Sequence, residues 1–247
     1  MRGAGTSRGR GQRALLLILA GGCAARCSSG APPAATPSAT TPASRPAPAA
    51  GDAAAESALQ TLTERVASAK SVRIKGRIQS VETVLEGTLV ARADGPVSIE
   101  FAGDYRGGRV EVFLASDGTT ARGGPRGREF KQGVPASFRR DLLATVAARG
   151  LTQPVTDLFT GSLPEVGGDV AARIRLSNLA TGQRYLMKGR EAQALNFDVV
   201  YADEAAGQGT LWLAVDTGLP VGRGLYVRRP RETILLETYD VFELGGD

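Results

Sequence analysis

Cys23 is the residue whose type and setting carry the clearest chemistry. It closes the run Leu15-Leu16-Leu17-Ile18-Leu19-Ala20-Gly21-Gly22-Cys23, behind Arg2, Arg8, Arg10 and Arg13. A basic start, a short apolar stretch and small residues before a cysteine form an export signal that ends in a lipidation site. The apolar stretch is far shorter than the roughly 20 residues a membrane-spanning helix needs. Ala20, Gly21 and Gly22 fit a peptidase groove, with Ala20 where a leucine is commoner. An ordinary export signal cut at small residues is the competing reading. On the lipoprotein reading residues 1–22 are removed and Cys23 is acylated, and several acyl chains on one thiol suffice for stable anchoring. Cys27 follows Arg26 and is read as a plain thiol, with no catalytic or metal role.

Other reactive chemistry is scarce. The chain has no histidine, which removes the commonest general base and metal ligand. Ser-His-Asp and Cys-His sites are excluded, and no zinc spacing exists because neither His nor Cys falls beyond residue 27. Asp203-Glu204 could pair as carboxylates, but beside Ala205-Ala206-Gly207 they read as a solvated turn. Gly123-Gly124-Pro125-Arg126-Gly127 lacks the Lys-Ser/Thr ending of a phosphate loop and reads as a hairpin loop. Asp104-Tyr105-Arg106-Gly107-Gly108 reads as a turn. The expectation is therefore a protein that is not an enzyme and holds no metal or cofactor.

Charge points the same way. The formal charge of +5 falls to +1 once the four arginines of residues 1–22 are set aside. No basic footprint for nucleic acid remains. Arg139-Arg140 and Arg228-Arg229-Pro230-Arg231 read as solvated surface, or as contacts to anionic headgroups.

Three segments follow from composition: the signal (1–22), the lipidated cysteine with an Ala/Pro/Ser/Thr tether (23–51), and one folded domain (52–247). The tether cannot bury apolar surface and is expected to stay disordered, as a semi-rigid, proline-stiffened spacer. In the domain, Asp52 is a candidate N-cap for a helix with Ala55, Leu59, Leu62, Val66 and Ala69 on one face. From Ser71 the period becomes two. Val72, Ile74, Gly76 and Ile78 alternate with Arg73, Lys75 and Arg77, and strands over 84–93, 97–101 and 110–114 follow. Asp94-Gly95-Pro96 and Asp117-Gly118 mark turns. Ser137 to Arg149 reads as a helix, with a short one over 155–159 beyond Pro154. Strands resume over 171–176, 195–201, 209–215, 225–228 and 233–242, with a break at Pro230. This order predicts an α+β domain: a curved antiparallel half-barrel sheet whose concave face is covered by helices.

Two stretches carry a family resemblance. One runs from Asp141-Leu142-Leu143-Ala144 through Gly150-Leu151-Thr152-Gln153-Pro154-Val155-Thr156-Asp157-Leu158. The other comprises the strand from Gly189 to Phe197 and the Trp-bearing Leu211-Trp212-Leu213-Ala214-Val215 running into Asp216-Thr217-Gly218-Leu219-Pro220-Val221. Over most of residues 56–244 the chain resembles the LolA/LolB-like superfamily of periplasmic lipoprotein carriers and receptors, closest to a predicted periplasmic LolA-like family, and is similar in fold to the LppX and LprG lipoproteins. That pattern often has a His in the strand before the Trp, where Asn196 and its neighbours stand here. The resemblance implies a hydrophobic cavity between sheet and helices suited to acyl chains. Phe101, Phe113, Leu142, Val146, Phe197 and Trp212 are the candidate lining, and periodicity alone allows each to belong to a solid core instead.

The functional expectation is a lipid-anchored, periplasm-facing envelope protein. Its partners would be membrane lipids, through the N-terminal anchor, and a lipid or lipoprotein acyl chain, with a role in trafficking. Ala24 follows the cysteine in place of the Asp that favours inner-membrane retention, which points to the outer membrane of a diderm. The alternative is a non-catalytic structural or sensing module acting through an envelope partner protein.

Overall fold

The computed structural model describes residues 52–168, 174–228 and 232–245. The expectations for the signal, Cys23, Cys27 and the tether lie outside these residues, as does most of the break around Pro230. None of the described helices is long and apolar enough to cross a membrane.

Helix α1 (Ala53–Ser68) begins where the sequence places its cap: Asp52 Oδ1 accepts from Ala54 N at 2.9 Å, satisfying one of the free amides of the first turn. Six strands follow as a meander: β1 (Ser71–Ser80), β2 (Thr83–Ala91), β3 (Val97–Tyr105), β4 (Gly108–Ser116), β5 (Thr120–Pro125) and β6 (Phe130–Gly133). Helices α2 (Phe138–Arg149) and α3 (Thr152–Phe159) come next. A second meander returns: β7 (Ile174–Met187), β8 (Arg190–Tyr201), β9 (Glu204–Ala214), β10 (Pro220–Val227) and β11 (Thr233–Gly245). The result is an 11-stranded sheet in the order β6-β5-β4-β3-β2-β1-β11-β10-β9-β8-β7. Every pairing is antiparallel, and β1–β11 is the seam between the meanders. This is the open, curved α+β half-barrel the sequence predicts.

Alternation fixes which face is covered. In β1, Val72, Ile74 and Ile78 are buried while Arg73, Lys75 and Arg77 are exposed. In β11 the phase changes part-way. Lys75 pairs with Val241 but Gly76 with Tyr239, so Asp240 is bulged out. Leu235, Glu237 and Tyr239 point inward before the bulge, Phe242 and Leu244 after it.

The helices cover the inward face. α2 buries Phe138, Leu142, Leu143, Val146 and Ala147, a stripe wide enough to meet both the sheet and α1. α3 contributes Val155 and Leu158 and stacks Phe159 on Tyr105, centroids 4.9 Å apart. It starts at Thr152, earlier than the sequence suggests. Pro154 lies inside its first turn, where an absent N–H costs nothing. The Arg139-Arg140 patch is likewise not plain surface: Arg139 Nη2 donates to Ala69 O at 2.5 Å and Lys70 O at 3.1 Å, satisfying carbonyls just beyond the C-terminus of α1.

The largest departure is β7. Sequence marks only its beginning, yet it runs 14 residues along the sheet edge. Bulges between Ser177 and Ala180 and between Thr181 and Arg184 break its alternation. β5 and β6 use the glycine-rich stretch read as loop, with the turn narrowed to residues 126–129. At the other proposed turns, Arg106-Gly107 and Ala202-Asp203 have positive φ, the backbone of tight hairpins.

Gly150 joins α2 to α3 at φ 86° and ψ −172°, a region essentially reserved for glycine. A Cβ there would fall on the Glu237 carboxylate. Gly150→Ala is expected to destabilise the domain by about 2–4 kcal/mol, from backbone strain and displacement of a buried charged hydrogen-bond acceptor. A urea unfolding curve with an unchanged slope and a lower midpoint would show it.

Candidate functional site

The six candidate lining residues separate by face. Phe101, Leu142, Val146 and Phe197 lie in the helix-covered interior, all at most 2% exposed. They belong to one apolar cluster with Ile74, Leu89, Ile99, Leu114, Leu151, Leu158 and Leu211. Phe113 and Trp212 are on the opposite face of the sheet. Val112 and Leu114 point inward, so Phe113 between them points out, under the guanidinium carbons of Arg126 at 5.0 Å and Arg122 at 5.9 Å. Leu211 and Leu213 likewise send Trp212 outward, onto a small cluster with Met187, Ala192, Ala214 and Val221.

Cross-strand glycines explain where three of the rings lie. Phe101 pairs with Gly87, Phe197 with Gly209 and Trp212 with Gly222. A Cβ at Gly87 would come within 2.6 Å of Phe101 Cγ, and one at Gly224 within 3.1 Å of Trp212 Cη2. Each ring therefore lies on bare backbone, a known way of packing aromatics over glycines in sheets.

An open apolar space exists elsewhere. A cleft of about 460 Å³ runs between α1, the end of α2 and β7. Leu59, Ala148, Leu176 and Leu179 give it an apolar lining, and Glu56, Gln60, Thr63 and Glu64 add polar groups from α1. This volume is in the range of small-molecule sites. The α1 wall is tied to β7 by Asp52. Its amide donates to Leu179 O at 2.8 Å. Its Oδ2 accepts from Thr181 Oγ1 at 2.6 Å and Thr181 N at 3.2 Å. Sequence reasoning found Leu59 as a helix-face residue but ended the strand at Leu176, and so missed the rest of β7, Leu179 and the cleft.

A second feature that sequence reasoning missed lies beneath the α2–α3 corner. Arg223 on β10 and Glu237 on β11 are direct cross-strand partners, 1% and 0% exposed. Glu237 accepts from Leu151 N at 3.0 Å, Thr152 N at 2.8 Å and Thr152 Oγ1 at 2.5 Å, and from the Tyr239 hydroxyl. The carboxylate thus caps α3, where the helix dipole favours negative charge. Arg223 Nη2 donates to Ala147 O at 3.2 Å near the end of α2, where the dipole favours a cation. Its guanidinium carbon lies 5.6 Å from the Phe197 ring centroid. Burial holds the Tyr239 phenol well above its ordinary pKa, and the Glu237 charge adds to this while Arg223 opposes it. Among the described residues no cluster of three or more acidic or thiol groups could hold a metal ion.

No family model and no curated protein matches the chain. Solved structures do. MucB of Pseudomonas aeruginosa, solved with MucA, is 18% identical over 78% of this chain and 58% of its own, with a TM-score of 0.43. LprF of Mycobacterium bovis is 11% identical over 81% of this chain and 97% of its own, with a TM-score of 0.44. A LolA superfamily protein from Nitrosomonas europaea is 8% identical over 78% of this chain and 94% of its own, with a TM-score of 0.30. The chain spans under two thirds of the MucB chain. At these identities the likeness concerns fold alone, and the architecture rests on the strand order and register given above.

Two outcomes follow from this geometry. Glu237→Ala leaves Arg223 buried without its opposing charge and uncaps α3, so a loss of about 3–5 kcal/mol is expected, measured by chemical denaturation. The Asp52 carboxyl is held below its ordinary pKa, chiefly by the Thr181 hydroxyl, then by the Ala54 and Thr181 amides. Its contribution is present above the unfolded value near about 4 and is lost as pH falls through the lower folded value. Protection factors at Ala54 and Thr181, compared with Asp52→Asn across that range, should report it: the wild type alone should lose protection as pH falls.

Proposed function

We propose that this protein is a lipid-anchored envelope protein, held by Cys23 on a tether over residues 24–51. Its domain binds a lipid or lipoprotein acyl chain and presents it at a membrane, in lipid or lipoprotein trafficking. The observation that carries the reading is the cleft lined by Leu59, Ala148, Leu176 and Leu179. Phe101, Leu142, Val146 and Phe197 are packed into the core, whereas Leu59, Ala148, Leu176 and Leu179 offer a ligand apolar walls at the cleft. Each buried methylene contributes about 0.8 kcal/mol. A ten-carbon stretch would gain about 8 kcal/mol, against an association cost of about 4 kcal/mol or more. Burial of this kind needs no covalent step, in keeping with a chain that has no histidine and no cysteine beyond residue 27. The signal-like start supports envelope localisation facing the periplasm, and Ala24 supports the outer membrane.

The burial of Phe101, Leu142, Val146 and Phe197 in the core favours a second reading, a non-catalytic structural or sensing module that acts through an envelope protein partner. Native mass spectrometry of the purified full chain separates the two. The carrier reading expects a co-purifying lipid mass beyond the anchor. It also expects Leu59→Asp and Leu176→Asp to cut retention of a fluorescent fatty acid by about tenfold, equivalent to losing about 1.4 kcal/mol, measured at a temperature where circular dichroism shows each variant folded. A protein that arrives without lipid, ignores the probe and retains one envelope protein on an affinity column would support the second reading.

A further inference from the structure

One end of the sheet carries an apolar corner that the cleft does not use. Among the described residues, three of the five large apolar side chains that stand well exposed lie there: Tyr185 (48% exposed), Leu186 (79%) and Val215 (44%). β7 turns into β8 through Lys188 and Gly189, both with positive φ, the backbone of a tight two-residue hairpin. Tyr185 pairs with Ala192 and Leu186 with Glu191, and Val215 N donates to Glu191 O at 2.9 Å. Met187 and Trp212 add a partly buried cluster on Ala192, Ala214 and Val221. A Cβ on Gly222 would touch both, Met187 Cε at 3.3 Å and Trp212 Cε3 at 3.5 Å.

Three observations say what covers this corner. Successive side chains of a strand point to opposite faces, so Tyr185 and Met187 lie on one side of the hairpin and Leu186 on the other. A protein packed on the sheet would cover one side, whereas a lipid interface surrounds the tip and covers both. The chain also enters the domain at this strand. Asp52, which follows the 24–51 tether, bonds Leu179 O and the Thr181 amide and hydroxyl. Thr181 is five positions before Leu186 on β7, at most about 17 Å along a strand. Finally, the cations at the tip are each matched by an acid: Lys188 by Asp240 at 2.5 Å, Arg190 by Asp216 at 2.9 Å and Arg184 by Glu191 at 3.0 Å. These pairs carry no net charge, so the contact draws on apolar burial, which salt does not screen, and not on attraction to anionic headgroups.

We infer that the β7–β8 tip, with Trp212 and Val215 beside it, is a membrane-contact surface on which the domain leans against the lipid interface at headgroup depth. Leu186 and Val215 reach the acyl boundary. Tyr185 and Trp212 lie at the level where amphipathic rings are favoured. Lys188 and Arg190 keep their charged ends in water while their stems cover apolar surface. This rests on reading the protein as membrane-anchored, and it names the face that the domain turns to the membrane.

Trp212 is the only tryptophan in the chain, so its fluorescence reports this corner directly. The full chain is reconstituted in phosphatidylcholine vesicles with and without bromine, a contact quencher, on the acyl chains. Brominated lipid should quench the wild type equally at low and high salt. Leu186→Ser should weaken the contact about tenfold, the loss expected from one buried leucine, and quenching should fall to match. That side chain is exposed, so circular dichroism should show the variant as fully folded as wild type. An anchored chain without quenching, quenching that high salt abolishes, or quenching indifferent to Leu186→Ser overturns the surface and leaves the anchor reading intact. Shielding of Trp212 from acrylamide that grows with protein concentration in the absence of lipid also overturns it, and makes a second copy the occupant. A chain that purifies without acyl groups sinks the anchor reading instead. The tip then stands alone if excess brominated vesicles still quench wild type more than Leu186→Ser, and falls if they quench both equally or neither.

Discussion

The carboxylate of Glu237 organises the molecule. Three of its donors belong to the start of α3, so one side chain on a central strand fixes where the α2–α3 corner meets the sheet. Burying it uncompensated would cost several kcal/mol. Arg223 directly opposite, the Tyr239 hydroxyl and the dipole of α3 offset that cost. Gly150 then has no freedom to be anything else, because the corner turns directly over the carboxylate. The two meanders meet at β1–β11, so the same spot joins both halves of the sheet to the helices above them.

Much of the frame was legible in the residues. Asp52 as a cap, the face of α1, the alternation through β1 to β4 and the length of α2 all follow from local patterns. What escaped follows from particular breaks in those patterns. β7 contains Asn178-Leu179-Ala180-Thr181-Gly182, where two bulges destroy the period of two and Asn178 takes a positive φ. β10 carries Arg223 between two glycines, a stretch with low strand propensity that is held by its neighbours. In β11 the bulge at Asp240 shifts the inward set, which hides Glu237 among residues that alternate correctly on either side. A charge at an inward position opposite another charge is a signal sequence can show only once the register is known.

The candidate site was legible only in part. The sequence offers four mid-strand aromatic residues and two aliphatic residues of α2 as lining, and four of the six lie in the helix-covered interior. Their rings and methyls are spent on the core. The glycines that receive Phe101, Phe197 and Trp212 are visible as residues but not as partners, because each lies 10 to 14 positions away and the pairing depends on the hairpin register. The cleft was invisible because its floor comes from α1, α2 and β7, elements far apart along the chain.

The irregular course of β7 has a consequence for how the protein behaves in a crowd. A long edge strand is a template on which another chain can polymerise. Here its two bulges interrupt the row of free amides and carbonyls, and Arg175, Arg184 and Lys188 place cations along it, each engaged with an acid. The opposite edge, β6, is only four residues long. A sheet open at both sides thus offers no uninterrupted ladder to a second copy. Copies at high local concentration then meet repeatedly without fibrillising.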